Sequence, residues 1–350
     1  MYLKNTVLNY SFAAILSTGK LSFENVGRIL QTSGDTAKRL LPSKKKSLEV
    51  CQSICRWFFR KDKRIYVTVD DTLLKKFYSR YMQGTGYFYD SKMGRRINAY
   101  KLILGIISNK KFAIPSFCAY LFSKELEQYL SEPPKNKFEL TKACVELAMQ
   151  LFPDKEIIVV ADGLYATTKF VQWCSVNNIK VELRMASNRV IEYQGKRMSL
   201  KELAFEHDVR PKGRQMARTV SAVWHGMDLE FTVERRIDKH GNESIVFQVA
   251  TYKALPREHV ANYKCRWPVE KVIRTGKQSL GLGDCFSTLL DVQHDHVAAV
   301  LLAYALVQVE RKRQKLKTPE DAIRRLEKKN VAFLERRFSR FLDDNHIAYA

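Results

Sequence analysis

The first half of the chain carries runs of apolar, β-branched residues that predict strands. Residues 65–70 form such a run and end in an acid, which is typical of a buried strand. Residues 100–108 and 111–119 predict two more strands, joined by a turn at residues 109–110. The segment 77–93 is rich in Gly, Tyr and Lys and predicts a loop. The first three strands therefore follow one another as a meander.

In the next segment the apolar residues have the spacing of a helix and of a strand in turn. Residues 136–152 repeat apolar positions at helical spacing, and residues 157–161 form a short apolar run typical of a buried strand. A helix and a strand at 179–185 follow. Asp70 and Asp162 end the first and fourth strands, at the strand ends where open α/β sheets bind ligands. The order β-β-β-α-β-α-β predicts an α/β fold and resembles a ribonuclease-H-like core.

The N-terminal region is predicted to be helical. Two short amphipathic segments lie between residues 21 and 41, with a turn and cap at residues 32–35. The pair resembles a helix-turn-helix whose second helix would present Lys38 and Arg39 to DNA. Any small helical hairpin has this pattern, so the sequence leaves DNA reading by this region open.

The second half begins with a polar, glycine-punctuated region that predicts further strands. A hairpin is expected at residues 219–224 and 229–237, with a third strand at 245–252. An apolar helix is expected at 292–309. Residues 310–340 hold twelve Lys or Arg against five acids, interleaved with apolar residues, which predicts a folded basic face.

The net charge of +23 over 350 residues implies a polyanionic partner, with nucleic acid as the first candidate. A membrane surface is the second candidate and is disfavoured, because no compact run of basic residues flanks an apolar anchor. No apolar run approaches the roughly 20 residues needed to span a bilayer, and the N-terminal apolar patch has no cleavage-site pattern, so a soluble protein is expected. The seven scattered cysteines indicate a reduced cytoplasmic protein. A structural zinc at Cys51 and Cys55 is disfavoured, since no further ligands lie nearby.

The segment 263–277 contains the most distinctive chemistry. At about 100° per residue, one helical face would carry Tyr263, Arg266, Glu270, Arg274 and Lys277. Glutamate oxygen suits Mg²⁺, and the cations and phenol suit phosphate oxygens. This face could therefore hold a divalent metal beside a phosphate chain, although an ordinary amphipathic basic helix gives a similar pattern.

Pro268 modifies this expectation, because proline is excluded from a helix interior. The regular helix should begin near Trp267, with Tyr263 and Arg266 at its entry. The spacing Tyr263-x2-Arg266-x3-Glu270-x6-Lys277 resembles the signature of the insertion-sequence 4 family of DDE transposases.

The resemblance implies a metal site and a reaction. Asp70, Asp162 and Glu270 would be the catalytic, metal-binding carboxylates, with Glu270 and Asp70 on one ion and Asp162 and Asp70 on the other. The ions would be Mg²⁺, or Mn²⁺ in its place. Tyr263, Arg266 and Lys277 would bind the DNA phosphates that flank the scissile bond. Asp71 remains an alternative to Asp70, which is preferred because Thr72 follows it by two residues, as is usual in the family.

The resemblance also implies partners and a course of reaction. The protein would nick the inverted-repeat ends of an insertion sequence, and the freed 3′-hydroxyls would attack target DNA. It would act as a homodimer in the synaptic complex and be cytoplasmic and nucleoid-associated, without a membrane partner.

The expected organisation has five parts. Residues 1–60 would be a helical region with a helix-turn-helix as a candidate DNA-binding element, 61–186 the first part of the ribonuclease-H-like catalytic core, 187–255 a β-rich insertion, 256–310 the last part of the core, and 311–350 a basic helical C-terminal region.

Other interpretations remain open at this stage. A DNA-binding protein derived from a transposase, or a structure-specific nuclease or resolvase of the same fold, would share much of this pattern. His294 and His296 are interpreted as a polar helix cap in preference to a metal pair. Trp224 and Trp267 are expected to pack in the core or hairpin, although either ring could stack on a flipped base.

Overall fold

Helices form the N-terminal part of the chain in the computed structural model, which describes residues 7–77, 79, 81–123, 126, 133–206, 217–238 and 240–349. Serine hydroxyls at positions 22, 33 and 43 accept a backbone N–H at the start of the second, third and fourth helices, because a first-turn amide has no partner within the helix. The helices are α1 (Asn9–Leu16), α2 (Phe23–Leu30), α3 (Gly34–Arg39) and α4 (Lys44–Phe59).

The predicted helical hairpin is present as α2 and α3. Its turn is tight: a side chain on Gly27 would meet the backbone oxygens of Thr32 and Ser33 at under 3 Å. Lys38 and Arg39 are exposed on α3, which has only six residues. The hairpin is thus confirmed, and its role on DNA stays a prediction.

A mixed sheet follows, and its first part consists of the strands and helices that the sequence predicted. The strands are β1 (Arg64–Lys75), β2 (Gly86–Asp90), β3 (Arg95–Ser108), β4 (Ala113–Leu121), β5 (Glu156–Ala161) and β6 (Lys180–Met185). Helix α5 (Lys137–Leu151) precedes β5, and α6 (Thr168–Val176) connects β5 to β6. Strand β2 lies inside the segment predicted as a loop, so that prediction was wrong for residues 86–90.

The strand order identifies the fold class. Along the sheet the order is β4-β3-β1-β5-β6, with β1 antiparallel to β3 and parallel to β5, and β5 parallel to β6. This is a ribonuclease-H-like arrangement, as predicted. The parallel pairing of β1 with β5 ends at Val69 and Ala161, which brings Asp70, within β1, close to Asp162, just after β5.

The polar region after β6 adds strands to the same sheet. It contains β7 (Val190–Tyr193), β8 (Lys196–Ser199), helix α7 (Leu200–Glu206), β9 (Ala217–Trp224), β10 (Met227–Ile237) and β11 (Glu243–Ala250). Strand β11 pairs with β6, so these strands continue the sheet beyond the core. The predicted hairpin and third strand are β9, β10 and β11.

The remaining helices are α8 (Pro256–Lys264), α9 (Trp267–Ser279), α10 (Leu290–Arg313), α11 (Pro319–Leu326) and α12 (Val331–Asp344). Helix α8 lies against one face of the sheet, where Tyr66 Oη donates to Asn262 Oδ1 at 2.9 Å and Thr68 Oγ1 donates to the Cys265 carbonyl at 3.4 Å. In the part of the chain that is described, no helix is long and apolar enough to cross a bilayer.

The two ends of the chain share one hydrophobic core with the sheet. Phe12 of α1 stacks on Phe338 of α12 at 5.9 Å between ring centres, and Trp57 of α4 meets Phe341 edge-on at 4.8 Å. Helix α10 is buried along most of its length between these groups. The terminal helices therefore stabilise the sheet directly.

Candidate active site

Asp70 and Asp162 lie side by side where the parallel pairing of β1 with β5 ends. Strand β1 itself continues to Lys75 beside β3, so the prediction that this strand ends at Asp70 was wrong. Val69 of β1 pairs with Ala161 of β5, so the acid that follows each of them occupies the next position. Burial, and then the negative charge of Asp162, raises the pKa of Asp70 to about 6. Two adjacent carboxylates with few water contacts repel each other, which is an arrangement that a divalent cation relieves.

Asp71 points to the opposite face of β1 and is neutralised there. Its carboxylate accepts from Lys137 Nζ at 2.8 Å and lies 3.1 Å from Lys101 Nζ, while Tyr165 Oη donates to it at 3.3 Å. Although burial favours the neutral acid, these lysines lower the pKa of Asp71. Lys137 also lies over the Tyr165 ring, 3.8 Å from its centre. Asp71 is thus paired with two lysines, and this cluster has a structural role.

Arg266 lies between Asp70 and Glu270. Helix α9 begins at Trp267, with Pro268 in its first turn, so Arg266 occupies the N-cap and Glu270 the first turn. The guanidinium of Arg266 donates to Glu270 and lies 3.6 Å from Asp70 Oδ2. Nε of Arg266 is buried and has no hydrogen-bond partner among the described residues.

The three predicted metal ligands do not converge in this arrangement. Over the described ranges, no group of three or more His, Cys, Asp or Glu side chains is placed to hold an ion. The structure brings Asp70 and Asp162 together, and it places Glu270 beside them with Arg266 in between. The donor set still suits a hard cation, because all three side chains offer carboxylate oxygens.

Lys277 lies two turns further along α9 and contacts β1 just beyond Asp70. Its ammonium donates to Thr72 Oγ1 at 2.7 Å and to the Leu73 carbonyl at 2.8 Å. Partial desolvation, with the nearby charges of Lys75 and Lys92, lowers the pKa of Lys277 to about 8. No carboxylate within the described part of the chain forms a salt bridge with it.

Tyr263 belongs to α8, so the predicted single helical face is divided between two helices. Its ring is 6% exposed and packs with Tyr66, Ile158 and Val160. Burial raises the pKa of Tyr263, and Arg266 and Arg184 partly offset that rise. The phenol is therefore close to the charges at the site, although most of the ring serves packing.

A buried polar network under α8 was not anticipated from sequence. Glu182 of β6 bonds His259 Nδ1 at 2.8 Å and accepts from Tyr252 Oη at 2.9 Å, and Asn262 donates to Tyr252 at 2.8 Å. Glu182 and His259 are both fully buried. The sequence carried little signal for it, because Glu182 lies between Lys180 and Arg184 in a strand that contains three charged residues.

The structure also tests the expectations for the two tryptophans, for His296 and for the cysteines. Trp224 is buried at 2% exposure, as expected, whereas Trp267 is 55% exposed, so the expectation that it packs was wrong. His296 is a buried core residue that bonds Tyr10 Oη at 2.8 Å and the Gly281 carbonyl at 2.9 Å, so it does not serve as a helix cap. The seven cysteines are free and buried.

Comparisons with known proteins place this site in a family. The family described as "Transposase DDE domain" matches residues 131–306, a segment that includes Asp162 and the whole stretch from Tyr263 to Lys277 but not Asp70. No curated protein matches the chain. A solved structure, "Crystal structure of the Mos1 Strand Transfer Complex", aligns with 52% of this chain and 58% of its own, at 11% identity and a TM-score of 0.19. That likeness is too weak for any residue role to be taken from it.

The family match extends over half of the chain and covers the core from before β5 to within α10. The chain belongs to the transposase DDE domain family.

Proposed function

We propose that this protein is a DNA transposase of the insertion-sequence 4 type, which cuts the ends of its element and joins the 3′-hydroxyl ends to target DNA. The observation that carries the proposal is the pair Asp70 and Asp162, which lie where the parallel pairing of β1 with β5 ends, in a chain of this family. The net charge of +23 supports DNA as the substrate.

Asp70, Asp162 and Glu270 are assigned as the metal-binding carboxylates. Asp70 is preferred to Asp71 because Asp71 already has two lysine partners on the opposite face of the strand. DDE transposases generally use divalent metal ions, and we propose Mg²⁺, with Mn²⁺ as a substitute, because all three donors are carboxylates. When bound, such ions activate the attacking hydroxyl or water and stabilise the leaving oxygen.

The role of Arg266 is inferred from its two acidic neighbours and from its Nε, which has no hydrogen-bond partner in the described part of the chain. In the absence of DNA it neutralises part of the negative charge between Asp70 and Glu270. A DNA phosphate offers the planar, bidentate acceptor that guanidinium prefers. We therefore assign Arg266 to the phosphate beside the scissile bond, and its transfer to that phosphate would free Glu270 as a ligand.

Lys277 and Tyr263 are assigned to neighbouring phosphates. Within the described residues, the hydrogen-bond partners of Lys277 are the neutral oxygens of Thr72 and Leu73, which a phosphate can replace at a gain in charge pairing. Tyr263 contributes its phenol from α8, beside Arg266. The ammonium and phenol would hold the DNA end in line with the carboxylates. Enzymatic phosphoryl transfer depends largely on such positioning of the reacting groups.

A strand-transfer assay tests this function. Labelled duplexes that carry the sequences flanking the gene are incubated with the protein, a supercoiled target plasmid and Mg²⁺. We expect a nick that leaves a 3′-hydroxyl, followed by joining of the label to the plasmid. Nicking without joined product would indicate a nuclease or resolvase, and DNA binding without nicking in Mg²⁺ or Mn²⁺ would indicate a non-catalytic derivative.

A further inference from the structure

Two large aromatic side chains project into solvent from the edge strand β2. Tyr87 is 63% exposed and Tyr89 is 64% exposed, and Phe88 between them is partly buried. Because side chains alternate along a strand, Tyr87 and Tyr89 point to the same side of the sheet. Exposed apolar groups that cluster in this way are typical of binding surfaces.

The strand register places these rings on the same face of the sheet as Asp70. Directly opposed residues in antiparallel strands share a face. Tyr87 is opposite Asn98 of β3, and six residues further along β3, on the same face, Leu104 is opposite Asp70. At about 3.4 Å per residue along the strands, Tyr87 lies roughly 20 Å from Asp70, and Tyr89, opposite Arg96, lies roughly 27 Å from it.

Positive charge surrounds the rings and continues towards the carboxylates. Arg96 is directly opposite Tyr89, and Arg95 and Lys92 are exposed at the end of the same hairpin. Lys277 contacts Thr72, on the same face of the sheet between the rings and Asp70. Asp90, the acid on β2, is already paired with Lys75 at 2.5 Å. Cations therefore lie beside the rings, and Lys277 lies between the rings and the carboxylates.

We propose that Tyr87 and Tyr89 form a stacking platform for unpaired bases of the DNA strand whose backbone is bound at Lys277 and the carboxylates. Exposed aromatic rings beside cations are how proteins bind single strands, because stacking uses the base faces and the cations bind the phosphates. A duplex keeps its base faces covered, so the ligand is a single-stranded segment. The ligand class, DNA, rests on the proposed function.

A binding measurement without divalent metal tests the platform separately from catalysis. The probes are a fluorescein-labelled oligothymidine and an abasic oligomer of the same length. The variants are the double change Tyr87→Ala and Tyr89→Ala, and the matched control Tyr87→Phe and Tyr89→Phe, which keeps the rings. We expect the double alanine variant, the alanine pair, to bind oligothymidine more weakly than the wild type, by about fivefold or more for each ring lost. Its affinity for the abasic oligomer should be unchanged. The phenylalanine pair should bind as the wild type does.

Several results would overturn the platform. The alanine pair could bind oligothymidine as tightly as the wild type does, or it could lose the same fraction of its affinity for both probes. It could also show a changed oligomeric state by sedimentation and no change in DNA affinity. The last would identify this edge as a contact between copies of the chain. Photocrosslinking of the wild type to oligothymidine carrying 5-iododeoxyuridine is a second measurement that needs no variant. Crosslinks should map to the peptide containing residues 86–90, and crosslinks found only elsewhere would contradict the proposal.

The outcome is separable from that of the proposed function. If the wild type discriminates oligothymidine from the abasic probe but catalyses no strand transfer, the transposase assignment alone is rejected. Strand transfer by the wild type with no discrimination between probes would reject the platform alone.

Discussion

At the scale of single residues, Asp70 and Asp71 show how two neighbouring acids acquire opposite properties. Asp70 has a raised pKa because it is buried beside another acid, whereas lysines lower the pKa of Asp71. The sequence placed both at a strand end but could not say which faces the site. That distinction depends on Lys101 and Lys137, which come from β3 and α5 and are distant in sequence.

This difference predicts stability changes of opposite sign in metal-free protein at pH 7.5. The folded-state pKa of Asp70, about 6, exceeds its ordinary value of 3.8, so stability falls as pH rises between these values and the cost is fully present above them. Asp70→Asn should therefore raise the free energy of unfolding by roughly 2–3 kcal/mol. Asp71→Asn should lower it by about 1–3 kcal/mol, because two lysines lose a charged partner.

Urea unfolding in EDTA measures both changes. The gain from Asp70→Asn should shrink at pH 4, where the wild-type carboxyl is largely protonated. A loss of stability in Asp70→Asn at pH 7.5, or a gain in Asp71→Asn, would show that the two acids have been assigned to the wrong faces.

At the scale of elements, the strands and helices of the core were predictable because their periods are clear. Strand β5 and helices α5 and α10 appear close to their predicted limits, and Pro268 correctly indicated where α9 begins. Strand β2 was missed because Gly86 and the neighbouring polar residues resemble a loop. Its pairing with β3 depends on tertiary structure, which the local hydrophobic pattern does not predict.

The network under α8 supplies a prediction at this scale. His259→Ala removes a partner from the fully buried Glu182 carboxylate and should lower the free energy of unfolding by about 3–5 kcal/mol. The double change Glu182→Gln and His259→Gln leaves no buried charge and should cost less than His259→Ala alone. Thermal or urea unfolding of the three proteins distinguishes these outcomes, and an exposed control is His240→Ala in the loop after β10.

At the scale of the whole molecule, the terminal helices belong to the same core as the catalytic sheet. The sequence indicated a folded basic tail but not where it packs. Leu334, Phe338 and Leu342 of α12 are fully buried, and Glu310 of α10 is paired with Arg325 and Arg337. Such contacts across the full length of the chain cannot be derived from a local pattern.

Truncation tests this shared core. Deleting residues 311–350 would expose the buried surface around Phe12 and Trp57, so we expect an aggregated product or one without a cooperative thermal transition. Arg336→Ala, an exposed change in the same tail, should leave the melting temperature nearly unchanged. Cooperative unfolding of the truncated chain at the wild-type temperature would mean that the tail is an independent unit.

The central claim is that Asp70 and Asp162, where the pairing of β1 with β5 ends, carry out metal-dependent DNA cleavage. The most direct measurement is Mg²⁺-dependent nicking of end DNA by Asp162→Asn, beside Asp154→Asn, an exposed acid at the opposite end of β5. We predict that Asp162→Asn abolishes nicking while its DNA affinity stays within a few-fold of wild type, and that Asp154→Asn nicks normally. Near-normal nicking by Asp162→Asn would contradict the account.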